Sequence, residues 1–81
     1  MSPIRKEDLS APLEVRLGRR IKAMRALRGM TQKELADACE MSNQTLSRLE
    51  NGKTDFQLST LKQIERVLEC TLILVANEDI I

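Results

Sequence analysis

Five polar side chains, Asn43, Gln44, Ser47, Arg48 and Asn51, fall at helical spacing (i, i+1, i+4, i+5, i+8) in the stretch SNQTLSRLENGKT. On a helix beginning at Asn43 they share one face, while Leu46 and Leu49 point to the opposite side. The outward face offers amides, a hydroxyl and one guanidinium, where a solubilising surface would be rich in Glu and Lys. Those groups match base edges in the major groove of DNA, Asn or Gln pairing bidentately with adenine and Arg with guanine. A solvated helix face is the competing reading. A steeply crossed helix pair behind a basic helix, both expected from the flanking residues, weighs against it.

Other chemistry is poorly provided for. The chain has no His, Trp or Tyr, and Phe56 is its one aromatic residue. Imidazole catalysis, histidine metal sites and aromatic cages are therefore excluded. Ser42, Ser47, Ser59 and Cys39 have no histidine to act as base, and the carboxylates show neither paired-acid nor metal-ligand spacing. Gly18, Gly29 and Gly52 do not form a phosphate loop. We therefore expect no enzyme, no cofactor and no metal. Cys39 and Cys70 lack a CxxC spacing and read as small buried hydrophobes. No basic start leads into a long apolar run, and no apolar stretch approaches the roughly 20 residues that cross a bilayer. The expectation is a cytoplasmic protein with reduced thiols.

At 81 residues the chain should form one domain, burying only about 60 to 65% of the surface its unfolded chain exposes. Its net charge of +1 is unevenly divided. Residues 1–29 carry +5, residues 30–54 carry −1 and residues 55–81 carry −3. Arg16, Arg19, Arg20, Lys22, Arg25 and Arg28 concentrate the positive charge in one segment. Such a field can neutralise phosphates, although a solvated basic helix face would carry the same residues.

The elements that must position these groups are nearly all helical. Leu13, Leu17, Ile21, Met24 and Leu27 recur at spacings of four and three, predicting an amphipathic helix over about residues 11–28 that stops at Gly29. TQKE supplies a capping box, Thr31 with Glu34, for a short second helix carrying Leu35, Ala36 and Cys39 inward. Only two residues separate its end from Ser42, a good N-cap for a third helix running to about Asn51. So tight a connection forces a steep crossing, the helix-turn-helix arrangement. Leu58, Leu61, Ile64 and Leu68 mark a fourth helix over about 58–69. Residues 1–10 read as a flexible arm, 11–70 as the helical domain and 71–81 as a dimerisation strand and tail. The strand expectation rests on TLILV, a β-branched and apolar run too short for a useful helix. With no second strand to pair with, it is expected to join its own copy in another subunit through Leu72, Ile73, Leu74 and Val75, the competing reading being an irregular tail packed against the first helix.

The stretch MTQKELADACEMSNQTLSRLENGKT, residues 30–54, resembles the helix-turn-helix of the phage Cro and repressor family, also called the XRE family. Gln32, ELA at 34–36 and LENGKT at 49–54 carry the match. The resemblance implies an all-α, compact four-to-five-helix repressor-like domain that binds double-stranded operator DNA as a two-fold homodimer, with the third helix in the major groove. It assigns base contacts to Asn43, Gln44, Thr45 and Arg48, and backbone contacts to Gln32, Asn51, Lys53 and Thr54. It also implies a structural ion pair between Arg25 and Glu50. Where the family usually has Gly in the turn between the second and third helices, this sequence has Glu40. If that position keeps a positive φ, Glu40 is strained by about 1 kcal/mol. The fourth helix with its apolar run looks like the antitoxin half of HipA/HipB-type pairs, which would add a kinase-like toxin as partner. A stand-alone phage-type repressor acting on its own promoter fits equally, and a protein-interaction module without DNA binding remains the alternative from another class.

Overall fold

The computed structural model of the chain describes residues 11–72. Among these residues four helices follow one another: α1 Leu13–Leu27, α2 Gln32–Ala38, α3 Asn43–Glu50 and α4 Leu58–Leu68. Helix α1 starts after Pro12, whose carbonyl accepts the amides of Val15 and Arg16. The capping box opens α2 in both directions: Glu34 N donates to Thr31 Oγ1 at 3.1 Å, and Thr31 N donates to Glu34 Oε1 at 2.8 Å. Ser42 caps α3 by accepting the Thr45 amide at 3.0 Å.

Every helix ends in the same way. Gly29, Glu40, Gly52 and Glu69 follow α1 to α4 with φ of 67°, 56°, 67° and 53°. The next amide then returns to a carbonyl five residues back: Met30 to Arg25, Met41 to Ala36, Lys53 to Arg48 and Cys70 to Glu65. This closure satisfies carbonyls that the helix leaves open, and Met30, Met41 and Cys70 pack against the core just beyond it. Glycine reaches positive φ without steric cost, whereas the two glutamates do so against a penalty of about 1 kcal/mol each.

The core draws on all four helices: Leu17 and Ile21, then Leu35, Ala36 and Cys39, then Leu46 and Leu49, then Leu61, Ile64 and Leu68. At roughly 1.5–3 kcal/mol for each fully buried leucine, Leu46 and Leu49 fix the rotation of α3 and so decide which of its residues face outward. Helix α1 departs from its sequence pattern at both ends. Leu13 is half exposed and Leu27 is 78% exposed, as is Leu58 to 57% at the start of α4.

No strand occurs among the described residues, which corrects the expectation of a strand over 71–75 where it can be compared. Thr71 and Leu72 are irregular, and Leu72 is fully buried in the protomer's own core rather than offered to a partner. The left-handed turn at Glu69 redirects the chain, and the Glu65 carboxylate holds it by accepting the Leu72 amide at 2.6 Å. Ile73, Leu74 and Val75 lie outside the described residues, as do residues 1–10.

Candidate nucleic-acid interface

Two short helices, α2 and α3, are joined by the four residues Cys39 to Ser42, with Glu40 at the left-handed position. Burial of Leu46 and Leu49 leaves Asn43, Gln44, Thr45 and Arg48 exposed on α3, with Asn51 exposed at its end and Ser47 half-buried. All four residues assigned to base contact are thus accessible from outside.

The residues assigned to backbone contact are not equivalent. Gln32 is half-buried and its Nε2 donates to Glu50 Oε1 at 3.2 Å, leaving one amide hydrogen for an outside acceptor. Asn51 turns its amide inward, Nδ2 donating to the Ser47 carbonyl at 2.8 Å, and so closes the end of α3. The main-chain amides of Asn51, Gly52 and Lys53 are likewise engaged, by the carbonyls of Ser47, Leu49 and Arg48. Side chains rather than these amides are left to meet phosphates. Lys53 is exposed and Thr54 half-buried.

Behind this surface a charged cluster holds α1, α2 and α3 together. Arg25 Nε donates to Glu50 Oε2 at 2.7 Å and its Nη2 to Oε1 at 3.1 Å, a bidentate pair. Its third nitrogen donates to the Met30 carbonyl at 3.0 Å. The Glu50 side chain is only 2% exposed, and its hydrogen bonds from Arg25 and Gln32 are what permit a buried carboxylate. The hydrogen bond to Glu50 raises the already high pKa of Arg25, so the guanidinium stays charged. Burial pushes both cysteine thiols up, keeping Cys39 and Cys70 protonated at neutral pH.

The basic segment is divided by the fold. Arg25 is committed to Glu50, and Arg28 clamps the end of α4, donating to the carbonyls of Leu68 at 2.8 Å and Glu69 at 3.1 Å. The Arg25–Glu50 pair is the one the family resemblance implied, whereas Arg28 read as part of the phosphate-neutralising segment. Both side chains join α1 to other elements, and Arg28 also stabilises the negative end of the α4 dipole. Arg20 and Lys22 are exposed.

Sequence reasoning also missed Gly18. A Cβ there would lie 2.4 Å from the Leu49 carbonyl oxygen and 2.6 Å from that of Glu50, so α1 and the end of α3 touch backbone to backbone. The available signal was a glycine inside a strong helical pattern, a position that costs about 1 kcal/mol relative to alanine unless close packing requires it.

These features define a helix-turn-helix domain whose second helix is rotated to present a polar face. The HTH_3 helix-turn-helix family matches residues 21–75, and the chain belongs to that family. It is 30% identical over 56 residues to the competence pilus inhibition repressor of Acinetobacter baylyi, covering 69% of this chain and 51% of that protein. It is 37% identical over 59 residues to the plasmid copy control protein CopR of Streptococcus agalactiae, covering 69% of this chain and 64% of that protein. The matches therefore span between half and two thirds of those curated relatives. The crystal structure of the clp gene regulator ClgR from Corynebacterium glutamicum superimposes with a TM-score of 0.77 at 31% identity, covering 84% of this chain and 87% of that one. The restriction-modification controller protein C.AhdI from Aeromonas hydrophila shares the fold, with a TM-score of 0.71 at 19% identity over 76% of this chain and 94% of that one.

Proposed function

We propose that the chain is a sequence-specific, double-stranded-DNA-binding transcriptional repressor. It places α3 in the major groove, works as a two-fold dimer on paired half-sites, and represses its own promoter. The observation that carries this reading is the outward face of α3, where Asn43, Gln44, Thr45 and Arg48 are exposed while Leu46 and Leu49 lock the helix rotation. Helix α3 is short enough for its N-terminal residues to reach base edges while the Lys53 loop meets the flanking phosphates. The named relatives, a repressor, a copy control protein and a gene regulator, favour a free-standing regulator over an antitoxin working beside a kinase-like toxin.

Of the residues expected to form the dimer contact, Leu72, Ile73, Leu74 and Val75, Leu72 is already committed to the protomer core and the other three lie outside the described residues. Titration of the DNA upstream of the protein's own gene, with ultracentrifugation of the free protein, tests the whole reading. Two protected half-sites one helical turn apart, and affinity falling steeply with salt, are expected. Equal affinity for this DNA and a scrambled duplex would contradict sequence-specific repression. No salt-dependent association with any duplex would favour a protein-interaction module.

A further inference from the structure

Ser42 does more than cap α3. Its Oγ accepts the Thr45 amide at 3.0 Å and donates its own proton to Thr45 Oγ1 at 2.8 Å. Accepting the amide proton polarises the Ser42 hydroxyl and makes it the better donor of the pair. Thr45 Oγ1, receiving that proton, keeps its own O–H to give elsewhere, and Thr45 is exposed on the α3 face. As a β-branched residue Thr45 has few side-chain rotamers, so the hydroxyl is held in place before any partner arrives.

We propose that Ser42 is a specificity-determining residue: it sets the hydrogen-bonding polarity of Thr45, so that Thr45 reads an acceptor on a base edge. The inference rests on the DNA-binding reading of α3. In the major groove guanine offers O6 and N7 and thymine offers O4, all acceptors, whereas cytosine offers its N4 amino donor. A Thr45 hydroxyl fixed as donor therefore favours guanine or thymine over cytosine. One hydrogen bond gained against one donor–donor clash corresponds to a preference of about five- to tenfold.

The test is selection from a randomised duplex library with four proteins: wild type, Thr45→Val, Ser42→Asp and Ser42→Thr. Thr45→Val removes the hydroxyl at nearly constant shape, and the base pair whose preference flattens is the one Thr45 reads. Ser42→Asp keeps a good N-cap, because the carboxylate still accepts the Thr45 amide, but it has no proton to donate. The Thr45 hydroxyl must then turn its proton to Asp and present lone pairs outward. Preference at that base pair should reverse toward cytosine, by a similar factor, while the added charge lowers affinity for all bases alike. Ser42→Thr retains the donor and should keep the wild-type preference. A wild-type consensus whose preference at the Thr45 position is unchanged in Ser42→Asp overturns this inference alone. A wild-type selection that returns no consensus overturns the DNA reading and this inference with it.

Discussion

Alanine at position 18 sets two physical effects against each other. In an ordinary helix, Gly→Ala stabilises by about 1 kcal/mol, since alanine loses less backbone entropy on folding. Here the new Cβ would stand 2.4 Å from the Leu49 carbonyl oxygen, inside the 3.0 Å that real Cβ atoms respect, so α1 and α3 must part by about 0.6 Å. The obstructing atoms are backbone and cannot rotate aside. Forcing extra volume into such a contact costs about 1–3 kcal/mol, and the gap opens beside the Arg25–Glu50 pair. Subtracting the propensity gain leaves a net loss of about 0–2 kcal/mol, or a melting temperature lower by up to about 15 °C for a domain of this size. Differential scanning calorimetry of Gly18→Ala measures it directly. A melting temperature above wild type, as an unobstructed helix position would give, would refute the backbone contact and with it the account of how α3 is seated.

Three further outcomes follow from the same geometry. Glu40→Gly relieves a positive-φ residue and should be neutral or stabilising by up to about 1 kcal/mol in urea titration, whereas a clear loss would mean that the Glu40 side chain makes a favourable contact. Glu50→Ala leaves the Arg25 guanidinium and the Gln32 amide without their shared acceptor and should cost about 3 kcal/mol; a loss under about 1 kcal/mol would show that water replaces the carboxylate. The Glu34 carboxyl is held below its ordinary pKa by the Thr31 backbone amide, so its contribution is complete above the ordinary value and lost as pH falls through the lowered one. Wild type should therefore be more stable than Glu34→Gln at neutral pH with the gap closing in acid, and a gap that widens below pH about 4 would contradict the capping role.

Much of this arrangement is legible in the sequence because local signals agree with tertiary ones. The Thr31–Glu34 box, the Ser42 cap and the leucine spacing of α3 each fix an element without reference to distant residues. The positive φ of Glu40 was also accessible, through the glycine that similar sequences carry there. Besides Gly18, three things escaped for one shared reason, that they depend on which elements meet. Leu27 fits the α1 period but is exposed, so periodicity alone overextends the apolar face. Arg28 reads as surface charge until the end of α4 is seen within its reach. Leu72 reads as part of an apolar strand, and only the left-handed Glu69 and the Glu65 carboxylate reveal that it closes the core.

Comparing Gln44→Ala with Lys53→Ala tests most directly the claim that α3 reads sequence while the following loop holds the backbone. Affinities are measured on a selected duplex and on its scrambled counterpart across a salt series. Gln44→Ala should weaken binding to the selected duplex by about 1–3 kcal/mol and leave the scrambled one nearly unchanged. Lys53→Ala should weaken both by the same factor and reduce the salt slope by about one counterion. If the two substitutions lowered affinity for both duplexes equally, the exposed face of α3 would be an ordinary polar surface and the division between reading and holding would be wrong.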